Sequence, residues 1–390
     1  MKAWKLSPLV AAIVSVNAVA IESTGISLGG GLTFTPTIEL STENNDNIYS
    51  EETNEQSSTI NRIAPSFSLA GDYGKTTFNT NYSAEQGSYS ANGDDDYLDQ
   101  LLSADASYEL NARHQFDIAA SYIDAHDARG SVAGAESANS ADPDEYNQTT
   151  AGLTYVFGSD TSMANLDVYA DTFAKRYDNN EALTAGREYD QNTFGALVGY
   201  KVSSASEILF EARQSEINYT DSAVKFDSSV QHLLTGMRWD ITGATTGEVK
   251  VGRVLRSFDD NAKASAAHLN WSANLTWKPL TYSTVVLASN QSTNESNGTG
   301  NYIAASTTSV SWDHEFSSFI SAGISANYGE DEYAKVKRND INSGYGINAT
   351  YSPLTWMDVN LSASQSLRDS NIAGLDKETN IINLGITLGL

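Results

Sequence analysis

From Leu32 onward apolar and polar residues alternate with a period of two. Leu32, Phe34, Ile38 and Leu40 fall on one face; Thr33, Thr35, Thr37 and Glu39 fall on the other. Successive side chains of an extended backbone point to opposite sides, so the pattern predicts strands with one greasy and one polar face. It recurs near 31–43, 59–73, 76–88, 98–110, 113–125, 145–157, 163–176, 189–201 and 206–218. It continues near 228–240, 246–258, 265–278, 281–292, 301–314, 318–330, 340–352, 355–368 and 377–390. That makes about 18 strands, an even number. The clearest sets Leu269, Trp271, Ala273, Leu275 and Trp277 against His268, Asn270, Ser272, Asn274 and Thr276. Thr and Ser blur both faces of 281–292 and 301–314.

The connections carry a second signal. Short ones, such as 110–113, 157–162, 278–281, 314–317 and 351–354, alternate with longer ones at 43–57, 89–97, 126–144 and 329–339. A soluble sandwich has no reason to match connection length to strand parity, whereas short periplasmic turns and longer outer loops are the habit of membrane barrels. Tyr73, Tyr108, Phe157, Tyr200, Trp239, Trp277, Trp312 and Tyr351 stand just before successive short turns, all on the apolar face. Amphipathic aromatics gathered at one strand end form an interfacial girdle. The predicted fold is all-β: a transmembrane antiparallel β-barrel of residues 21–390 with both termini in the periplasm, placed in the bacterial outer membrane.

Composition sharpens this reading. The chain has 390 residues, no Cys, six Pro and a net charge of −26. Residues 1–20 read as a cleaved signal peptide: Lys2 and Lys5, an apolar stretch from Leu9 to Val16, and the small-x-small site Ala18-Val19-Ala20. No long apolar run follows Ala20, so no transmembrane helix is expected. The negative mean hydropathy is no objection, because only alternate residues of a barrel strand are apolar. The acidic balance argues against nucleic acid as a partner. The first three long loops hold thirteen acidic residues against one basic, Arg129. A solvated surface accounts for them; divalent-cation bridging to the sugars of lipopolysaccharide is the alternative. Asp94-Asp95-Asp96 lacks the spaced ligands of a calcium loop, so no metal site or cofactor is assigned.

The C-terminal N-L-G-I-T-L-G-L resembles the signal by which barrel-assembly machinery recognises outer-membrane proteins. Asn383, Gly385, Leu388 and Leu390 carry that likeness, although the last residue is usually aromatic and here is Leu. Gly385 is expected to permit close backbone approach, and Leu388 and Leu390 to face lipid.

An 18-stranded barrel is wide enough for an aqueous lumen. Phasing turns Glu211, Glu248, Arg213, Arg238, Lys250 and Arg256 inward. Two accounts compete: salt bridging of the basic residues with Glu211 and Glu248, or a basic stripe that guides an acidic polymer. Tyr169, Phe173, Phe319 and Trp356 also phase inward, where they would stack on sugars or wedge the wall. The five His residues show no metal-ligand spacing, and no Gly-x-Ser-x-Gly elbow precedes a helix. No enzyme is expected, though a barrel enzyme assembled from scattered strands is the third alternative.

Phe34 to Ile48 reads F-T-P-T-I-E-L-S-T-E-N-N-D-N-I, and Ile63 to Leu69 reads I-A-P-S-F-S-L. A Pro-containing strand, an Asp-Asn loop start and a second Pro-containing strand resemble the β-barrel porin type 2 family. Pro is tolerated near a seam, where a missing donor costs least. The resemblance implies an outer-membrane barrel associated with capsule or exopolysaccharide production, with polysaccharide and periplasmic export proteins as partners. A general diffusion porin or structural envelope protein is the alternative.

Overall fold

The structure, a computed structural model, describes residues 25–131, 142–159, 161–241 and 243–390. The expected signal peptide and its cleavage site lie outside the described residues. The strands are β1 Ile26–Gly29, β2 Leu32–Asn45, β3 Ser58–Asp72, β4 Thr76–Tyr89, β5 Tyr97–Asn111, β6 His114–Asp127, β7 Asp144–Phe157, β8 Ala164–Tyr177, β9 Tyr189–Ser203 and β10 Ser206–Tyr219. They continue as β11 Ser228–Ile241, β12 Thr245–Phe258, β13 Ala266–Leu280, β14 Ser283–Glu295, β15 Tyr302–Ser317, β16 Ile320–Tyr333, β17 Arg338–Leu354, β18 Met357–Ser370 and β19 Lys377–Gly389. From β2 to β19 every strand pairs antiparallel with its sequence neighbour, and β19 pairs back to β2, with Gly389 opposite Thr37 and Ile381 opposite Asn45. The wall is therefore a closed barrel of the eighteen strands β2–β19. Each predicted strand lies within three residues of the observed one at both ends.

Two features depart from expectation. The first is β1, which forms a hairpin with β2 through Gly29, Gly30 and Gly31, all at positive φ. It pairs with Leu32, Thr33 and Phe34, the part of the β2 edge that β19 does not reach. The second is the expected long connection at 329–339. Strands β16 and β17 extend into it and leave only residues 334–337 between them.

The eight connections between barrel strands at the other end are all short; the longest is 158–163. We call this the turn end; the opposite loop end carries 46–57, 90–96, 128–143 and 178–188. One face of the wall carries exposed apolar side chains: Ile63, Leu102, Phe194, Leu269, Ile347 and Ile382 are typical. A band of such residues on a closed sheet suits contact with lipid, where every backbone group is already paired. The expected girdle is present, since Tyr73, Tyr108, Phe157, Tyr200, Trp277, Trp312 and Tyr351 are exposed at the turn end. Trp239 is only partly exposed, because its ring lies over Gly247 on the next strand. No described helix is long and apolar enough to cross a membrane.

The last strand shows its alternation directly. Leu384 and Leu390 are exposed on the apolar face, while Gly385 is buried on the other, opposite Asn360 and Ser41. Asn383 lies opposite Ser362 and Glu43, and Leu388 opposite Met357 and Ile38 near the turn end. Close approach does not require Gly385: an added Cβ would lie 3.4 Å from a Glu39 carboxylate oxygen and 3.6 Å from the Ser41 Cβ. These are ordinary contacts, so the expected steric role of this glycine is corrected.

Candidate functional site

Closure of the sheet turns its polar face to the lumen. Register, rather than parity, decides which of these residues meet. Glu211 on β10 is the centre of one network. Lys250 on β12 reaches it across β11, with Nζ 2.9 Å from its carboxylate. Tyr169 on β8 reaches it across β9, its hydroxyl donating over 3.1 Å. Two glycines make both crossings feasible. Gly236 of β11 lies opposite Lys250, and an added Cβ there would lie 2.1 Å from the Val249 carbonyl oxygen. Gly195 of β9 lies opposite Tyr169, where a Cβ would come within 2.3 Å of the ring. Side chains from strands two away thus converge on one carboxylate because the strand between them offers no side chain.

The network then extends towards the turn end. Lys250 also pairs with Glu248 at 3.1 Å, and Arg238 with Glu248 at 2.7 Å and Glu207 at 3.5 Å. Arg213 stands 3.5 Å from Glu211 and contacts the His232 ring at 3.3 Å. Three carboxylates, Glu207, Glu211 and Glu248, face three cations, Arg213, Arg238 and Lys250. The salt-bridging account of these residues is what the geometry shows, and no uncompensated basic stripe runs along this wall.

Arg256 belongs elsewhere. It lies six residues up β12 from Lys250, roughly 20 Å along the strand. Its guanidinium donates to Glu295 over 2.8 and 2.7 Å and to Ser228 over 2.9 Å. It sits 5.1 Å from the Phe258 ring centre and 5.5 Å from that of Tyr302, and only 1 % of it is exposed. Tyr219 donates to the same Glu295 at 2.7 Å. Beside it Tyr189, Ile217, Tyr219, Val230 and Val254 form a buried cluster flanked by Phe173 and Phe226. Parity placed Arg256 inward correctly, but it is packed into the wall at the loop end and does not line an open path. Trp356 and Phe319 are corrected as well: both lie in the turns at 355–356 and 318–319 and are about half exposed.

The loops are tied over the loop end. Arg129, the one basic residue among the thirteen acidic ones, chelates Asp95 with two contacts of 2.7 Å. Its guanidinium also donates to the Tyr49 hydroxyl over 2.6 Å, and Tyr49 donates to Asp95 over 2.7 Å. Burial first, then the Asp95 hydrogen bond, pushes the Tyr49 phenol above its usual range. The hydrogen bond to Asp95 raises Arg129 likewise, so both stay protonated and three loops remain latched. Nearby, Arg187 ties Asp144 and Asp127, each at 2.8 Å.

Sequence reasoning missed one further group. Arg368 on β18 lies opposite Lys377 on β19, on the lumen face at the loop end. Arg368 is 6 % exposed, and its Nε has no hydrogen-bond partner. The Thr379 hydroxyl, two residues beyond Lys377, and the Tyr333 hydroxyl are buried without partners too. The signal was available: two cations of inward parity flank the last loop, 371–376. Among the described residues, no group of three or more His, Asp or Glu is disposed to hold a metal ion.

Away from these clusters the lumen wall is made of short polar residues. Ser66 pairs with Asn81 at 3.1 Å, Ser68 with Asn79 at 2.9 Å, and Thr350 with Asn360 at 2.8 Å. These short hydroxyl and amide side chains present hydrogen-bonding groups to the lumen.

Among solved structures, OccK2 (OpdF) of Pseudomonas aeruginosa matches with a TM-score of 0.52 and 11% identity, over 92% of this chain and 97% of that one. The FrpB iron transporter of Neisseria meningitidis matches with a TM-score of 0.48 and 11% identity, over 91% and 82% of the two chains. The OccK2 likeness is one of fold. No curated protein matches the sequence. The family model described as Putative beta-barrel porin 2 matches residues 19–390. With the closed barrel and its lipid-facing band, that match places the protein in the bacterial outer membrane, and the chain belongs to the beta-barrel porin 2 family.

Proposed function

We propose that this porin-like barrel is a conduit through which an extracellular or capsular polysaccharide leaves the cell. The observation that carries the reading is the composition of the lumen wall. Ser, Thr, Asn and Gly dominate its lumen face on β16–β19 and β2–β5. A hydrated sugar chain needs many weak, interchangeable hydrogen bonds and a broad path, because tight binding would stop its exit. The charges of β10–β12 are compensated within the wall, so this face favours a polymer of low charge density over a strongly acidic one. Periplasmic export proteins would meet the barrel at its short turns, and lipopolysaccharide would surround the loop end.

Deletion of the gene tests the proposal. Polymer should accumulate inside the envelope while its synthesis continues. Surface polysaccharide at the wild-type level, together with altered uptake of small solutes, would establish the second reading, a general diffusion porin. The same wet wall favours that reading, since it admits any small hydrophilic solute.

A further inference from the structure

We infer that Arg368, Lys377 and Thr379 form an oxyanion site on the lumen face at the outer mouth, taking a carboxylate or phosphate group. The inference goes beyond the export reading and holds whether the cargo is a polymer or a small solute.

The argument begins with charge. Five charged side chains of β16–β19 share this part of the lumen face: Arg338, Arg368 and Lys377 against Asp331 and Asp340. The carboxylates are already engaged. Arg338 chelates Asp340, with contacts of 3.0 and 2.5 Å to one oxygen, and Ser370 donates to the other over 2.6 Å. Asp331 accepts from Asn342 over 2.8 Å. Among the described residues no carboxylate lies within ion-pair distance of Arg368 or Lys377, and the Lys377 Nζ donates to the Ser50 hydroxyl over 3.3 Å. One positive charge is left over, in a place where like-charged neighbours and burial both disfavour it.

The donors argue the same way. A buried polar group without a partner is costly, and more so when it is charged. The Arg368 Nε and the Thr379 hydroxyl are both such groups, within one pair of adjacent strands. The Tyr333 phenol is a third, within electrostatic range of Arg368. An oxyanion between the two strands would accept from the Arg368 fork, the ammonium and the hydroxyl together, and would cancel the residual charge. Guanidinium and ammonium groups are the standard donors for such an anion. The loop 46–57 roofs the site: Asn47 donates to the Glu51 and Glu378 carbonyls, each over 2.8 Å, and Ser50 meets Lys377.

The test is calorimetric titration of the detergent-purified full-length barrel with inorganic phosphate, with trigalacturonate and with neutral maltotriose. Saturable binding of an anion but not of maltotriose is expected, weakened about tenfold or more in R368Q/K377Q by the loss of charge-assisted hydrogen bonds. Heat-modifiable gel migration verifies that the variant is folded, and K75Q, at an exposed turn, should bind like wild type. Binding of trigalacturonate supports the site and assigns it to an acidic substituent of a polymer. Binding of phosphate alone supports it and assigns it to small anions. No saturable binding by the wild type, as when ordered water fills the gap, overturns the inference, as does undiminished binding by a folded R368Q/K377Q.

Discussion

Arg256 gives the sharpest test of how the wall is built. The substitution Arg256→Met keeps much of the aliphatic stem and removes the charge. It deletes two hydrogen bonds to Glu295 and one to Ser228, and leaves the Phe258 and Tyr302 rings without their cation. Glu295 stays behind with 8 % of its side chain exposed and, among the described residues, the Tyr219 hydroxyl as its one remaining donor. Breaking a buried ion pair by removing one partner costs about 3–5 kcal/mol. The surviving Tyr219 bond puts the expected loss at the lower end, about 3 kcal/mol. Adding Glu295→Gln removes the orphaned charge, so the double variant should be more stable than the sum of the singles by about 1–2 kcal/mol. The assay is urea unfolding of the barrel in lipid vesicles under reversible conditions, run as a double-mutant cycle. An unchanged unfolding midpoint in R256M, combined with altered conductance or ion selectivity, would refute the reasoning and return Arg256 to an open pore.

Four further outcomes are expected. Leu384→Arg puts a cation on the lipid face of β19 and should cost about 2–4 kcal/mol if it lies near mid-depth, seen as loss of mature protein from outer-membrane fractions. Asp at Leu388 or Leu390, near the turn end, should cost much less, about 0–1 kcal/mol. Gly236→Ala should weaken the barrel by about 1.5–3 kcal/mol through loss of the Lys250–Glu211 bond, whereas Gly385→Ala should leave the urea midpoint unchanged. Asp95→Asn should loosen the latch and speed protease cleavage within 46–57 in intact cells, with no change in barrel content by circular dichroism.

Much of this wall was legible because parity is local. Whether Phe34 or Thr35 faces lipid depends only on extended backbone and on which set is apolar, so strands and faces read off directly. What parity cannot supply is register. Lys250 and Glu211 are separated by 39 residues and by a whole strand, and their meeting depends on two pairing offsets and on the gap at Gly236. Depth is a second loss. Arg213 and Arg256 share inward parity, yet one stands in the mid-wall network and the other is sealed under aromatics at the loop end. Trp356 and Phe319 failed for a simpler reason: they fall in turns, where the alternation stops. Strand β1 was missed because its four residues, the last of them the first of three successive glycines, carry almost no periodic signal.

The short strand β1 has a consequence for how the barrel shuts. Joining β19 to β2 closes a ring in which Asn380 meets Asp46, 334 residues away in the chain. Closing so long a loop forfeits about 5 kcal/mol of chain entropy, which makes it a late event. The β1–β2 hairpin is local and forms in microseconds, well before the last strand arrives. When β19 docks on β2, the edge from Leu32 to Phe34 is already taken, and Leu390 stops beside Pro36, its amide 3.4 Å from the Pro36 carbonyl oxygen. A β19 displaced by two residues towards the turn end would keep its greasy face outward and satisfy every alternation rule, yet it would strike the hairpin. In the closed barrel the hairpin thus occupies the edge that the slipped register would need, a check that apolar patterning alone cannot provide.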